Sequence, residues 1–383
     1  MILLLCAGTI IVALVTSLML ALPVLARPTL PFGVRVGVQR VGDPVIVVAR
    51  RSYARLTVLV AVIAAVVLIL ALLVTGSAVV IGVTATVVTV VDLLLFYRAH
   101  RMVRAAKLAG RWAAERRQTV TVDTAFRTDP VRVPWSWGLP ALAVLLLTAG
   151  VGWARYGGLP ATLPVSLGLG GTASSGQRTP TTVLTAFQPV IYQIAVTLVV
   201  LVAALAVLRA RPDLDAARPQ GSARRYRVYL RGVATLLLLS AACLNLSLFF
   251  AGLRLWEIVP PAIVWEVAVF APFIVLLGGW LTWEIKVGQA GHRLPALPGE
   301  ELEDSGAGQR EDDRHWFLAG AVYANRRDPA LLVHARLGSS SWTLNLGHPI
   351  AWLLLGVLTV ALLVLAGLSL AGVVDLPQRH SLF

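Results

Sequence analysis

Runs of about 20 apolar residues recur along the sequence, and they restrict the fold more than any other feature. A helix of about that length crosses the roughly 30 Å hydrocarbon core of a bilayer, where the backbone must satisfy its own hydrogen bonds. With 57% hydrophobic and 14% charged residues, the chain has too few polar side chains to cover a soluble protein. We therefore predict an all-α integral membrane protein with eight transmembrane helices. Their predicted positions are 2–25, 56–75, 77–98, 135–154, 190–208, 232–253, 262–285 and 350–372.

The positive charge of the chain is concentrated in alternate loops. Of the 33 Lys and Arg residues, 29 lie in four segments, 26–55, 98–134, 209–231 and 286–349. Because basic loops are retained in the cytosol, we expect these segments to be cytosolic and both termini to lie outside the plasma membrane. This arrangement accounts for the net charge of +14 without nucleic acid as a partner. The basic segments are expected to contact anionic lipid head groups of the bilayer.

The loops divide the chain into a membrane domain and a C-terminal region. The predicted membrane domain, 1–286, contains seven helices and one sizeable outside loop, 155–189. Residues 287–311 are acidic and poor in large apolar side chains, so we predict a flexible linker there. The regions that follow are a small cytosolic module at 312–349, the last transmembrane helix at 350–372 and an outside tail at 373–383.

Three local patterns predict structure inside the loops. In 98–117, Arg101, Arg104 and Lys107 recur at three-residue steps, which predicts that the third span continues as a basic amphipathic helix. The alternation of "TVTVD" at 119–123 favours a short strand. In the outside loop, "TPTTVLTAF" at 179–187 can cap and start a helix.

The module at 312–349 contains short segments of mixed character. "HWFLAGAVYA" suits a short helix or a strand, whereas "LLVHAR" and "SWTLNLG" are strand-like and flank a turn rich in Gly and Ser. We predict a small α/β or β-hairpin module. Because a lone hairpin is marginal in water, it is expected to dock on the membrane domain.

The module resembles the C-terminal region of bacterial membrane proteins classed as domain of unknown function 5808. The residues that carry the resemblance are Asp312, Asp313, Trp316, Gly320, Tyr323, Asn325, Asp328, Pro329, Val333, Arg336, Gly338, Trp342, Thr343 and Asn345. Ser340 stands where that family usually has a second glycine. The resemblance implies a poorly characterised bacterial membrane protein and no established activity.

The outside loop resembles a second module, domain of unknown function 1648, which also occurs in SdpI-like immunity proteins. The matching residues are Leu159, Pro160, Leu163, Pro164 and Gly171. Ser166 replaces the usual His, and Ala173-Ser174 replaces the usual Pro-Asp. Any ligand or metal role of those missing residues is therefore not carried over to this chain.

Three polar residues within the predicted spans are candidate functional residues, because ionisable groups are costly inside a bilayer. Asp92 lies six residues before Arg98 and either pairs with an arginine at the inner interface or serves a transport site. Asn245 is expected to bond across helices, and Glu266 lies near the outer end of its span.

The sequence contains none of the short motifs that identify common enzyme classes. His315, His334 and His348 have no spacing typical of a metal site, so we expect neither metal nor cofactor. We predict a non-enzymatic signalling, regulatory or toxin-immunity-like role, with an extracellular peptide or a cytosolic protein as partner. The alternatives are a small-solute transporter and, third, a membrane-embedded enzyme.

Overall fold

A computed structural model describes residues 2–112, 117–119, 125–164, 178–300, 302–309, 312–338 and 340–370. The predicted outside tail and most of the predicted strand at 119–123 lie outside these residues. The helices are α1 Ile2–Leu25, α2 Pro44–Thr75, α3 Val79–Ala109, α4 Ala125–Thr128, α5 Leu139–Arg155, α6 Val183–Ala186, α7 Gln188–Leu208, α8 Pro219–Leu255, α9 Ile263–Lys286 and α10 Pro349–Leu370. The strands are β1 Arg117–Thr119, β2 Thr162–Pro164, β3 Arg178–Pro180, β4 Ala307–Gln309, β5 Trp316–Phe317, β6 Val322–Tyr323, β7 Leu332–His334 and β8 Trp342–Leu344.

Seven helices in the described part of the chain are long and apolar enough to cross a bilayer: α1, α2, α3, α5, α7, α8 and α9. Their lipid-facing sides carry large exposed apolar residues such as Leu70, Leu146 and Ile274. The eighth predicted span coincides with α10, whose 22 residues begin at Pro349. The prediction of an all-α membrane protein with a small β module is confirmed.

Three spanning helices extend past the predicted membrane spans into the basic loops. α2 begins at Pro44, where the Asp43 side chain accepts a hydrogen bond from the Val45 amide and Pro44 occupies the first turn, an arrangement that favours helix initiation. α8 likewise begins at Pro219. α3 continues to Ala109, as the amphipathic pattern predicts. The ends of these helices, the basic loops and the small module lie together, and we call this part of the molecule the basic end.

The spanning helices form two groups. The first group, α1–α3, packs around the edge-to-face rings of Phe32, Tyr53 and Phe96, and Tyr53 donates a hydrogen bond to the Met19 carbonyl. The second group, α5 and α7–α9, packs around α8. Within the described residues, no helix of one group packs extensively against a helix of the other. The two groups therefore depend on other elements for their relative position.

At the end opposite the basic end, the described parts of the loop between α5 and α7 form a short strand pair and a helical turn. β2 pairs antiparallel with β3, and the Thr182 side chain caps α6 by accepting from the Thr185 amide. The predicted helix start in this loop is thus confirmed. Trp256 is buried beneath the loop and donates its indole N–H to the Ala186 carbonyl at 2.7 Å.

The small module consists of two antiparallel strand pairs. β5 pairs with β6, and β7 pairs with β8 through His334 and Trp342, which confirms the predicted hairpin. Tyr323 bridges to Asn345 and so joins the two pairs. Away from this core, β1 pairs in parallel with β4. This pairing joins a strand that follows α3 in the chain to the segment that precedes the module.

The segment 287–311 is the predicted flexible acidic linker, and acids in its described part contact the start of α8. Both Glu303 oxygens accept hydrogen bonds from the Gln220 and Gly221 amides. Glu300 forms a two-bond ion pair with Arg224. The acids are ordered because the first turns of α8 offer unpaired backbone donors and arginines, and the sequence pattern alone does not reveal that pairing.

We expect Glu303→Ala to destabilise the segment on α8, because the loss of this cap leaves two backbone donors without a protein partner. Hydrogen–deuterium exchange of the peptide 297–309 should be faster in the variant than in the parent. Leu302→Ala is the matched control, since Leu302 is 91% exposed and its removal should leave the exchange unchanged. Exchange at the rate of an unstructured peptide in the parent protein would instead support the flexible linker.

Candidate functional site

A cluster of buried and half-buried charged residues lies where the module meets both helix groups. Its acidic members are Asp213, between α7 and α8, and Asp312 and Asp313 at the start of the module. Its basic members are Arg27 and Arg35 after α1, Lys107 on α3 and Arg336 in the module. We call these seven residues the charged junction. Their side chains range from 2% to 23% exposed.

The ion pairs of the charged junction connect all three parts of the molecule. Asp213 contacts Arg27 at 3.1 Å and Arg35 at 3.4 Å, so the first helix group is linked to the loop that enters α8. Asp313 contacts Lys107 at 2.6 Å, which links the module to α3. Arg336 binds both Asp312 and Asp313.

The acidic residues of the junction remain ionised although they are largely withdrawn from solvent. Burial raises the pKa of Asp213, but Arg27 and Arg35 outweigh that effect and hold it well below the ordinary value. Burial likewise opposes the charged forms of Asp312 and Asp313, and nearby cations, Arg336 first, lower the pKa of each. The junction is therefore a set of formal charges with limited access to solvent, where each charge depends on its partners.

Arg336 occupies the centre of the junction because the chain around it allows a close approach. Gly320 has φ +93° and faces the Cβ of Arg336, so a side chain at position 320 would collide with it. The guanidinium of Arg336 lies 4.7 Å from the centre of the Trp316 ring, a cation–π geometry. Trp316 also donates its indole N–H to Asp312 at 3.3 Å.

A second buried polar cluster links the module to the other helix group. Tyr229 of α8 and Nε2 of His334 are 2.9 Å apart. Gln289, just after α9, places its Nε2 3.1 Å from Nδ1 of His334 and donates to the Ala335 carbonyl at 2.6 Å. Nδ1 of His334 also lies 3.1 Å from the Ala335 carbonyl, so both ring nitrogens have polar partners. Trp342 stacks on Tyr229 at 6.1 Å and closes the cluster.

Burial lowers the pKa of His334 to about 4, and the positive charge of Arg27 adds to this effect. His334 is therefore neutral at physiological pH. Arg27 reaches the same cluster, because its Nε donates to the Gln289 carbonyl at 3.3 Å. The charged junction and the His334 cluster are thus continuous through Arg27.

The module itself is held together by Asn345, which is fully buried. Its amide group donates to the carbonyls of Asn325, Asp328 and Ala330, and its oxygen accepts from the Asn325 and Gly347 amides. Tyr323 donates its hydroxyl to Asp328, which also pairs with Arg211 of the loop after α7. The module is therefore fixed internally and anchored to the second helix group.

The structure separates the candidate module residues by role. Asp312, Asp313, Trp316 and Arg336 belong to the charged junction or touch it, whereas Tyr323, Asn325, Asp328 and Asn345 stabilise the module. Gly338 has φ +92° and approaches the Leu22 backbone of α1, and Trp342 packs on α8. Pro329 is exposed next to Asp328, and nothing in the described residues assigns it a contact at the junction.

Sequence reasoning missed the partners that these residues bind. Arg27, Arg35 and Lys107 belong to basic loops, where they are not distinguished from other cations, and Gln289 lies in a segment predicted to be flexible. Asp213 offered the one usable signal, because it is an acid in a strongly basic loop. Such an acid often compensates a nearby arginine, but the identity of that arginine depends on the fold.

The three candidate intramembrane residues do not form one site. Asp92 of α3 is fully buried within the first helix group, beside Thr57 of α2. Asn245 of α8 donates to the Ala141 carbonyl and the Thr197 hydroxyl, so its predicted role as a bond between helices is confirmed. Glu266 lies in the first turn of α9. Within the residues described, no three His, Cys, Asp or Glu side chains are placed to hold a metal ion.

We expect Asp313→Asn to destabilise the protein by about 3 kcal/mol, because it leaves Lys107 and Arg336 buried with less compensating charge. Thermal unfolding of the detergent-solubilised protein measures this change. Asp129→Asn is a matched control, since Asp129 pairs with Arg227 at the surface with 77% of its side chain exposed, and surface pairs contribute about 1 kcal/mol or less. Equal effects of the two substitutions would contradict a buried junction.

We expect stability to fall as pH decreases from about 6.5 to about 4. The unfolded chain protonates His334 near pH 6.5, whereas the folded protein does so only near pH 4, so acidification in this window favours unfolding. The loss from this residue is on the order of 3 kcal/mol across the window. Burial also lowers the pKa of His292 to about 4, which adds a slope of the same sign.

Unfolding temperatures recorded across this pH range test the His334 contribution. His334→Gln should reduce the pH dependence, whereas His315→Gln, a change at a residue outside the His334 cluster, should preserve it. An unchanged slope in His334→Gln would show that other groups carry the dependence.

Comparison with known proteins gives this site no precedent. No family model matches the chain, no curated protein is significantly similar to it, and no solved structure shares a significant likeness. The resemblances to domains of unknown function 5808 and 1648 stay predictions from the sequence.

Proposed function

We propose that this chain is a non-enzymatic signalling or regulatory membrane protein whose module responds to the relative position of the two helix groups. The observation that supports it is the charged junction. Asp313 binds Lys107 from the first group, while Asp213 of the loop leading into α8 binds Arg27 and Arg35. A movement of either group would break or rearrange these ion pairs and so change the exposed surface of the module.

The proposed orientation places the basic end in the cytosol of a bacterium and the protein in its plasma membrane. The support is the concentration of Lys and Arg in alternate loops, which favours retention of those loops inside. The loop between α5 and α7 would then meet an extracellular peptide, as in a toxin-immunity-like role, and the module would meet a cytosolic protein. Trp316 and Trp342 are the residues whose environment such a rearrangement would change first.

A coupling mechanism of this kind requires two states of the protein, and binding at either the outer loop or the module must favour one state over the other. The fold supplies a suitable element, because the helix groups share little direct packing and buried ion pairs have discrete arrangements rather than a continuum. A ligand shifts the equilibrium only by the difference between its affinities for the two states. The proposal therefore predicts that weakening the junction populates the second arrangement without any ligand.

Distance measurements between spin labels test this proposal directly. The labels are attached to cysteines introduced at Val74 and Ile263, which are 86% and 74% exposed. They report the separation of α2 and α9 at the end opposite the basic end. Cys6 and Cys243, the two free cysteines, are first replaced by alanine. The parent should give one narrow distance distribution, and Asp313→Asn should broaden or shift it. Asp129→Asn should leave it unchanged.

A narrow, unshifted distribution in a folded Asp313→Asn variant would contradict the coupling role and leave the junction a purely structural feature. A Lys107→Met variant provides an independent check, because it removes the same ion pair from the opposite partner. Agreement between the two variants would exclude a local effect of either substitution.

A small-solute transporter is the second candidate, and Asp92 favours it. A fully buried intramembrane carboxyl with no cation paired to it among the described residues is a feature of ion and proton pathways. Flux of the solute should then be lost in Asp92→Asn, whereas distances between the helix groups should be unaffected. The two candidates therefore differ in which substitution abolishes function.

A further inference from the structure

One face of α3 forms an open groove at the basic end, on the side away from the charged junction. The groove has a volume of about 440 Å³ and is lined by Leu94, Tyr97, Arg98, Arg101, Met102 and Ala105. These residues recur at three- and four-residue steps, so they form a single stripe on the helix. His100, Val103 and Lys107 face the opposite way and are buried.

The groove lies at the depth of lipid head groups. α3 begins at Val79 and its first basic residue is Arg98. The intervening helix is about 28 Å long, close to the roughly 30 Å thickness of the hydrocarbon layer. Leu94 therefore lies at acyl-chain depth, whereas Arg98 and Arg101 lie where lipid phosphates are found.

The two arginines of the groove carry uncompensated charge. Both side chains are exposed, and in the part of the chain that the structure describes neither forms an ion pair. Guanidinium groups bind phosphate oxygens through two parallel hydrogen bonds. Two arginines three residues apart on one helix face can thus hold one phosphate between them.

The apolar part of the groove is held in place by the core of the first helix group. The Tyr97 ring stacks on His100, with ring centres 5.9 Å apart and planes inclined by 12°. His100 is itself fixed by a hydrogen bond between its Nδ1 and the Phe32 carbonyl at 2.8 Å. Leu94 and Met102, 62% and 38% exposed, extend the apolar surface on either side.

We propose that this groove binds one anionic phospholipid, with its phosphate between Arg98 and Arg101 and an acyl chain along Leu94 and Tyr97. The proposal is independent of the signalling role. It goes beyond the general attraction of basic loops to anionic membranes, because it assigns the lipid to one helix face and two named cations.

Native mass spectrometry of the full-length protein, titrated with phosphatidylglycerol or phosphatidylcholine in detergent, tests the proposal. Basic residues near a membrane surface attract anionic lipids. Together, Arg98 and Arg101 should give the parent at least a roughly tenfold preference for phosphatidylglycerol. Arg98→Gln with Arg101→Gln should reduce this preference to about one. Arg51→Gln with Arg55→Gln, a matched change of two exposed arginines on α2, should preserve it.

Three outcomes would overturn the proposal. The first is a parent with no preference between the lipids. The second is a preference that survives in the folded groove variant, and the third is an equal loss in the α2 control, which would indicate diffuse attraction. Arg98→Lys with Arg101→Lys should retain part of the preference, which separates lost charge from a folding defect. The same spectra report whether the groove variant loses a dimer, which would assign the groove to a second copy of the chain.

Discussion

The pair of adjacent carboxylates at Asp312 and Asp313 is the interaction on which the arrangement of this protein depends. Each is half-buried and each stays ionised because cations from separate parts of the chain converge on it. Removing two charges from water costs several kcal/mol per ion, so such a junction contributes less to stability than to the choice of one arrangement. Its main consequence is geometric, because Arg35 and Lys107 can reach the pair only when the module is docked.

Docking by charge suits a protein whose two helix groups share little direct packing. In a bilayer the hydrophobic effect does not drive helices together, so specific polar contacts decide which helices associate. Within each group such contacts are present, as at Asn245. Between the groups, the module and the loops at the basic end supply them. The module is therefore part of the packing of the membrane domain, although its residues lie outside the spans.

Some of this could be predicted from local pattern, and the reasons are physical. Helix periodicity extends α3 into the basic loop, Thr182 marks the start of α6, and Gly and Ser between two strand-like segments mark the β7–β8 hairpin. Each signal arises within about ten residues. The sequence did not reveal that acids of the predicted linker meet Arg224 and the first turn of α8, because these partners are distant in sequence. The roles of Arg27, Arg35 and Lys107 were missed for the same reason.

The sequence by itself determined that the chain crosses a membrane several times, which loops carry the positive charge, and where a small β module precedes the last helix. These properties follow from the cost of burying polar backbone in hydrocarbon and from short-range turn and capping chemistry. Only the tertiary structure decided that Asp213 meets Arg27 and Arg35, that Gln289 orients His334, and that one face of α3 supports the junction while the other forms a groove. Such pairings depend on which side chains the fold brings within a few ångströms of each other, and composition and periodicity carry no information about that distance.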